Sequence, residues 1–183
     1  SERVRKLVGL VAERLEFTQD VIKFSDRAAQ ISKFDLVSQM VYEFPELQGI
    51  MGEKYALQKG ESPEVAVAIN EHYMPRNADD SIPGSPAGAL VAIADKLDTI
   101  VAFFSLGIIP SGSQDPYALR RQATGIVQTL IEKKWNISVE NLVGLSLNLV
   151  SEAGITKRTD EEVYHDLIQF FKLRVKHLLQ ERG

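Results

Sequence analysis

The sequence predicts an all-α protein, a helical bundle with further helices appended at its C-terminal end. Three observations carry that expectation. Apolar residues recur at helical spacing along most of the 183 residues, and no run shows the clean alternation of a strand. Helix punctuation falls where that spacing starts or stops: Ser62 before Pro63, Gly107 after an apolar run, and Thr159 ahead of Glu162. Residues 88–107 are apolar on almost every helical face, which marks a helix buried on all sides.

Each element follows in turn. Residues 2–15 set Val4, Leu7, Val8, Val11 and Leu15 on one helical face. Residues 19–44 continue with Val21, Ile22, Phe24, Ala28, Ile31, Leu36, Val37, Met40 and Val41, with a break and a second cap expected at 32–35. Pro45 opens a turn, and Gly49 and Gly52 interrupt 46–57. Ser62 and Pro63 start a helix through about Tyr73, which Pro75 ends, and 76–86 is a polar loop. The buried helix comes next, closed by Gly107 in the left-handed conformation. After a loop at 108–114, Asp115 and Pro116 open a helix to about Lys134. Residues 136–154 form a shorter helix or helical pair, and the capping box of Thr159 and Glu162 launches 160–182.

Composition narrows the function. With 44% hydrophobic and 25% charged residues the chain is ordinary globular material, long enough to bury a real core. It has no cysteine, which excludes disulfides, thiolate metal sites and a cysteine nucleophile. Two aspartates and a lysine inside 88–107 make that stretch a poor membrane span. No signal peptide is legible, and the chain reads as cytoplasmic. Its start at Ser1-Glu2-Arg3 and its end inside a helical pattern read as a piece of something larger. Residues 1–116 carry 11 Lys/Arg against 17 Asp/Glu, a net of −6, while 117–183 carry 10 against 8, a net of +2. A broad basic field is therefore absent, and any nucleic-acid contact is expected in local patches, chiefly in the second half.

Chemistry is expected where ionisable groups meet apolar faces. Asp95 and Asp98 are three residues apart, close together on one side of the buried helix. Carboxylates pushed toward a core need a cation, a metal or several donors. Arg120 and Arg121 stand in the first turns of their helix, where its dipole disfavours cations. Either one of them reaches Asp95 or Asp98 as a bidentate partner, or they contact phosphate. His72 follows Val65, Ala68 and Ile69 at helical spacing, as a satisfied core residue or as a ligand. Lys172, Arg174 and Lys176 make the last helix basic near its end, through dipole complementation or as a phosphate-facing strip. The segment 44–49 is a structural turn or a contact surface, and Trp135 packs the end of its helix.

Several segments resemble known families. The run 92–98, Ala-Ile-Ala-Asp-Lys-Leu-Asp, resembles the last metal-ligand helix of the HD superfamily of metal-dependent phosphohydrolases. The run 71–75, Glu-His-Tyr-Met-Pro, is similar to the histidine segment preceding that helix, and 33–36 falls where the signature His-Asp pair would stand. More specifically, KFDLVSQMVYEFPELQGIMGEKYA (33–56), INEHYMPR (69–76), ADKLDTIVAFF (94–104) and PSGSQDPYALRRQA (110–123) resemble the middle of the β subunits of bacterial-type glycyl-tRNA synthetases.

The resemblance implies an HD-like helical domain over 1–134 and a C-terminal extension over 135–183, leading toward an anticodon-binding domain that lies outside this sequence. It implies a part in tRNA(Gly) binding and subunit assembly, with an α subunit as partner, and no aminoacylation by this stretch alone. No cofactor is expected here, since ATP and magnesium belong to the α subunit of the complete ligase. The HD pocket would comprise Asp35, His72, Asp95 and Asp98. An HD hydrolase needs two histidines ahead of His72, and this sequence has none, with Phe34 where the second should be. The pocket is therefore expected to be vestigial and without metal; Asp35, His72 and Asp95 would be the ligands if one bound. The alternative is a live metal-dependent phosphohydrolase using those three residues. A purely architectural spacer is a third possibility. Arg76, Arg120, Arg121, Lys172, Arg174 and Lys176 are the candidate tRNA contacts.

Overall fold

A computed structural model describes residues 1–33 and 43–183. Its regular elements are α1 (Glu2–Arg14), α2 (Gln19–Ile31), α3 (Ile50–Gln58), α4 (Pro63–Glu71), α5 (Pro86–Ser105), α6 (Leu119–Lys133), α7 (Val139–Glu152) and α8 (Asp160–Arg182). A short 3₁₀ turn covers Pro45–Leu47, and an isolated bridge pairs Ser111 with Gln114. No strand occurs among the described residues, so the expected all-α class holds. The chain forms two compact units, Ser1–Ala94 and Asp95–Gly183. The boundary expected at residue 134 falls within the second unit, between α6 and α7.

In the first unit α1 packs on α2, and α4 packs on both α2 and α3. Side-chain caps start three of these helices: Ser1, Thr18 and Ser62 accept from the backbone N–H of Val4, Val21 and Val65, each at 3.3 Å. Val4, Leu7, Val8 and Val11 are buried, as their spacing predicts. Arg5 forks onto Asp26 with Nε and Nη2 at 3.1 and 2.9 Å, tying α1 to α2. Arg27 reaches from α2 to Glu61, with Nε at 3.0 and 3.2 Å from the two carboxylate oxygens. That bond holds the Glu61 carboxyl below the usual carboxylate range, desolvation opposing it. Helix α2 stops at Ile31, followed by extended Ser32 and Lys33 at φ +69°. A second cap at 32–35 falls partly outside the described residues.

Helix α5 begins at Pro86, ahead of the Gly88 start that apolarity suggests, because proline suits the first helical position. Ser85 is its cap: Oγ accepts from Gly88 N–H at 3.0 Å, and its carbonyl accepts from Ala89 N–H at 3.0 Å. The Ser85 N–H donates in turn to the buried Glu71 carboxylate at 2.8 Å. Glu71 ends α4, where its charge is disfavoured by that helix's own dipole, yet it faces the positive end of α5. Gly88 makes this approach possible, since a Cβ there would lie 2.7 Å from Glu71 Cβ. Helix α4 accordingly ends at Glu71 instead of running on to Tyr73.

The C-terminal end of α5 belongs to the second unit and is closed as Gly107 predicts. Gly107 stands at φ +82°, its N–H donates to Phe104 O at 3.0 Å, and Ile108 N–H donates to Phe103 O at 2.9 Å. The approach to α8 adds two donors: Lys157 N–H to Ser105 O at 3.0 Å, and Arg158 Nη1 to Phe104 O at 3.2 Å. Helix α6 starts at Leu119, later than Asp115 and Pro116 suggest. A turn ending in left-handed Ala118 intervenes, and Asp115 caps across it by accepting from Leu119 and Arg120 N–H at 2.9 and 3.0 Å. Ser138 caps α7, accepting from Asn141 N–H at 3.0 Å, and Thr159 caps α8, accepting from Glu162 N–H at 3.3 Å. Helix α8 packs on α6 and α7.

Both kinds of joint can be tested by substitution. Gly88→Ala should lower stability by about 1–3 kcal/mol, because the added methyl meets the fixed Cβ of Glu71 and not a flexible tip; an unchanged thermal midpoint would contradict the close approach. Glu61→Gln should lower the thermal midpoint at neutral pH. A carboxyl whose pKa is depressed by folding contributes stability above its unfolded value, and that contribution fades as pH falls through the folded one. The gap between wild type and variant should therefore close below about pH 4.3, measured by thermal melts across a pH series.

Candidate functional site

The two acids of the buried helix lie in its second-unit portion. Asp98 is 8% exposed and Asp95 half-buried. Thr99 Oγ1 donates to the Asp95 carbonyl at 3.0 Å. Of the two readings of Arg120 and Arg121, the bidentate pairing with these acids is not found among the described residues. Ion pairs of this unit join Arg158 to Asp166 and Arg182 to Glu132, and among the described residues none joins Arg120 or Arg121 to Asp95 or Asp98. The reason is local: Arg120 sits where its charge is felt by Arg174 on α8.

His72, in the first unit, caps the end of α4 and is 1% exposed. Its Nδ1 lies against the Ile69 carbonyl. A carbonyl only accepts, so Nδ1 carries the proton, and a neutral ring keeps its lone pair on Nε2, the tautomer a metal ligand uses. Asp35 lies outside the described residues. Among those described, no group of three or more His, Cys, Asp or Glu is placed to hold a metal ion.

Arg76 is engaged within its own unit. Nη2 donates to Asn70 Oδ1 at 3.0 Å and to the carbonyls of Gln48 and Asn70 at 3.4 Å. Its backbone N–H donates to Asp80 at 2.8 Å, and Asn70 Nδ2 donates to Glu53 at 2.9 Å. This knot closes over Gly49 at φ +88°, where a Cβ would lie 2.6 Å from Asn70 Oδ1 and 2.8 Å from Arg76 Nη2. Residues 44–49 are thus a turn fastened by Arg76.

The remaining cations stand on α6 and α8. Lys172 and Lys176 are exposed and one turn apart. Arg174 points about 200° round the helix from Lys172, so the basic run is not one strip. Its guanidinium lies 5.4 Å from the Phe170 ring centroid, and its Nε is buried without a hydrogen-bond partner. Burial first, and the neighbouring Arg120 charge second, hold Arg174 below its ordinary pKa, while Asp115 pulls the other way. Arg120 is half-buried and Arg121 exposed. Sequence reasoning missed that the charge of Arg120 acts on Arg174, which follows from the packing of α6 on α8. It also missed Glu71, a buried acid whose one legible signal is its place beside the apolar face ending at His72, and Tyr117, whose ring stacks on Phe103 at 4.4 Å with the residue 50% exposed.

The family model described as the glycyl-tRNA synthetase beta subunit matches residues 1–183. A glycine–tRNA ligase beta subunit of Bacillus subtilis is 54% identical over 177 residues, covering 97% of this chain and 24% of that protein. Counterparts from Halalkalibacterium halodurans and Desulfitobacterium hafniense are 50% and 48% identical over 182 residues, covering all of this chain and 26% of each. The chain thus spans about a quarter of the length of the curated relatives it matches. No helix among the described residues is long and apolar enough to cross a membrane. Nothing in these matches supports the phosphohydrolase alternative. A match over every residue of the chain, with relatives near half-identical throughout, establishes that the chain belongs to the glycyl-tRNA synthetase beta subunit family.

Proposed function

We propose that this chain is a helical portion of a glycine–tRNA ligase that helps hold tRNA(Gly) and assembles with the α subunit, without itself activating glycine. The family match over residues 1–183 carries the reading. The cations that α6 and α8 present, Arg120, Arg121, Lys172, Arg174 and Lys176, support it. Double-stranded RNA is held largely through its backbone and shape, which suits scattered cations better than a sequence-reading cleft. ATP and magnesium are assigned to the partner subunit, and the working compartment to the cytoplasm.

The HD likeness belongs to the same proposal. Asp35, His72, Asp95 and Asp98 are taken as remnants of a hydrolase pocket, a metal centre without two of its imidazoles being weaker and less selective. Arg76, engaged within its own unit, is the member of the candidate set with the largest structural share.

The test uses the complete enzyme carrying Arg121→Gln, Lys172→Gln and Lys176→Gln together. Charge removal at a backbone-facing surface should raise the KM for tRNA(Gly) and flatten its salt dependence, by a slope of roughly 0.7–0.9 for each phosphate no longer neutralised. Glycine-dependent ATP–pyrophosphate exchange should stay within about twofold of wild type, because no group touching the reacting atoms has changed. Collapse of exchange with an unaltered tRNA KM would overturn the assignment.

A further inference from the structure

Among the described residues several half-buried arginines are answered by carboxylates: Arg5 by Asp26, Arg27 by Glu61, Arg76 by Asp80 and Arg158 by Asp166. Arg120 and Arg174 break that pattern. Both are half-buried, and among the described residues neither guanidinium donates a hydrogen bond or enters an ion pair. Arg174 is held in place all the same. Its guanidinium lies over Phe170, which leans on Phe104 at 5.0 Å and meets Phe171 edge-on at 6.0 Å. Its Nε–H is sealed from solvent with no acceptor, a donor whose desolvation nothing in the fold offsets.

The electrostatic setting points the same way. The Arg120 charge acts on Arg174 as a like charge, and the carboxylate nearest in effect, Asp115, already accepts from two backbone N–H groups. Arg120 also stands in the first turn of α6, the end at which a cation is least welcome. Two half-buried guanidinium groups on packed helices, of which Arg174 is held over Phe170, have one engaged carboxylate acting on them and leave positive charge uncompensated where α6 meets α8. Planar guanidinium forks match the paired oxygens of phosphate. The exposed Arg121 next in the chain, the half-exposed Tyr117 ring and the net positive charge of 117–183 suit a polyanion better than a single carboxylate side chain.

We propose that Arg120 and the two Nη groups of Arg174 together bind a phosphodiester group of RNA, which supplies the negative charge that the fold omits. This rests on the reading of the chain as part of a tRNA-binding subunit, and it names one place where the RNA is held. Because both groups are uncompensated in the free protein, their removal should weaken RNA binding without weakening the fold, the reverse of what an internal ion pair would do.

The experiment measures binding of a tRNA(Gly) transcript to the complete enzyme over a salt series, for wild type, Arg120→Gln, Arg174→Gln and Arg174→Lys, with thermal unfolding of each. Each Gln variant should bind roughly five- to tenfold more weakly, with the slope of log affinity against log salt smaller by roughly 0.7–0.9. Its thermal midpoint should be unchanged or higher. Arg174→Lys should restore the slope and only part of the affinity, since a lysine keeps the charge and loses the fork. Wild-type affinity and slope in both Gln variants would overturn the site while leaving the tRNA-binding reading intact. Failure of the wild-type enzyme to bind the transcript would overturn both. Loss of the α subunit on sedimentation, with an unchanged salt slope for tRNA, would assign the pair to a protein carboxylate and overturn the RNA proposal.

Discussion

A helix that is apolar on almost every side has to be covered on almost every side, and within each unit α5 meets that requirement. Ala89 to Ala94 are buried in the first unit, and Leu97, Ile100, Val101 and Phe104 in the second. The flanks are buried while Pro86 and Gly107 at the two ends are exposed, and the end groups nonetheless find partners within the protein. Ser85 and Glu71 answer the N-terminal donors. Gly107, Ile108, Lys157 and Arg158 answer the C-terminal carbonyls. Glu71 and Arg158 are thus charges whose signs complement the α5 dipole at its two ends. A buried Glu71 would be hard to explain on α4 alone and is well explained by the helix that follows.

That thoroughness gives the exceptions their weight. A fold that partners the end groups of α5 and pairs Arg5, Arg27, Arg76 and Arg158 with carboxylates leaves Arg120 and Arg174 without an ion pair on adjoining helices. Local conflicts of this kind are retained where a site requires them, since an anion brought by a partner resolves what the free chain cannot. The same contrast separates the candidate cations. Arg76 is consumed in a knot around Gly49, whereas Arg121, Lys172 and Lys176 stand in solvent.

Signals in the sequence are legible where they act locally. The spacing of Val4, Leu7, Val8 and Val11, the cap at Ser62, the left-handed Gly107 and the box at Thr159 each need only a few neighbouring residues. Boundaries fail where a side chain acts across a turn. Asp115 caps α6 from beyond a left-handed Ala118, so its helix starts later than the Asp-Pro signal suggests. Pairings fail where they depend on packing. The sequence leaves Arg120 and Arg121 either to reach Asp95 or Asp98 or to contact phosphate, and it does not show that the Arg120 charge acts on Arg174, far along the chain, because α6 packs on α8. The HD pocket is legible only as a resemblance, carried by short runs around His72 and Asp95, and Asp35 lies outside the described residues.

In the proposed reading the second unit meets RNA at the junction of α6 and α8. Crosslinking of a 4-thiouridine-substituted tRNA(Gly) to the complete enzyme, read by mass spectrometry, tests it most directly. The account predicts crosslinked peptides that include residues 117–123 of the α6 approach and 170–177 of α8. Crosslinks confined to other parts of the two subunits, with both segments unmodified, would contradict it.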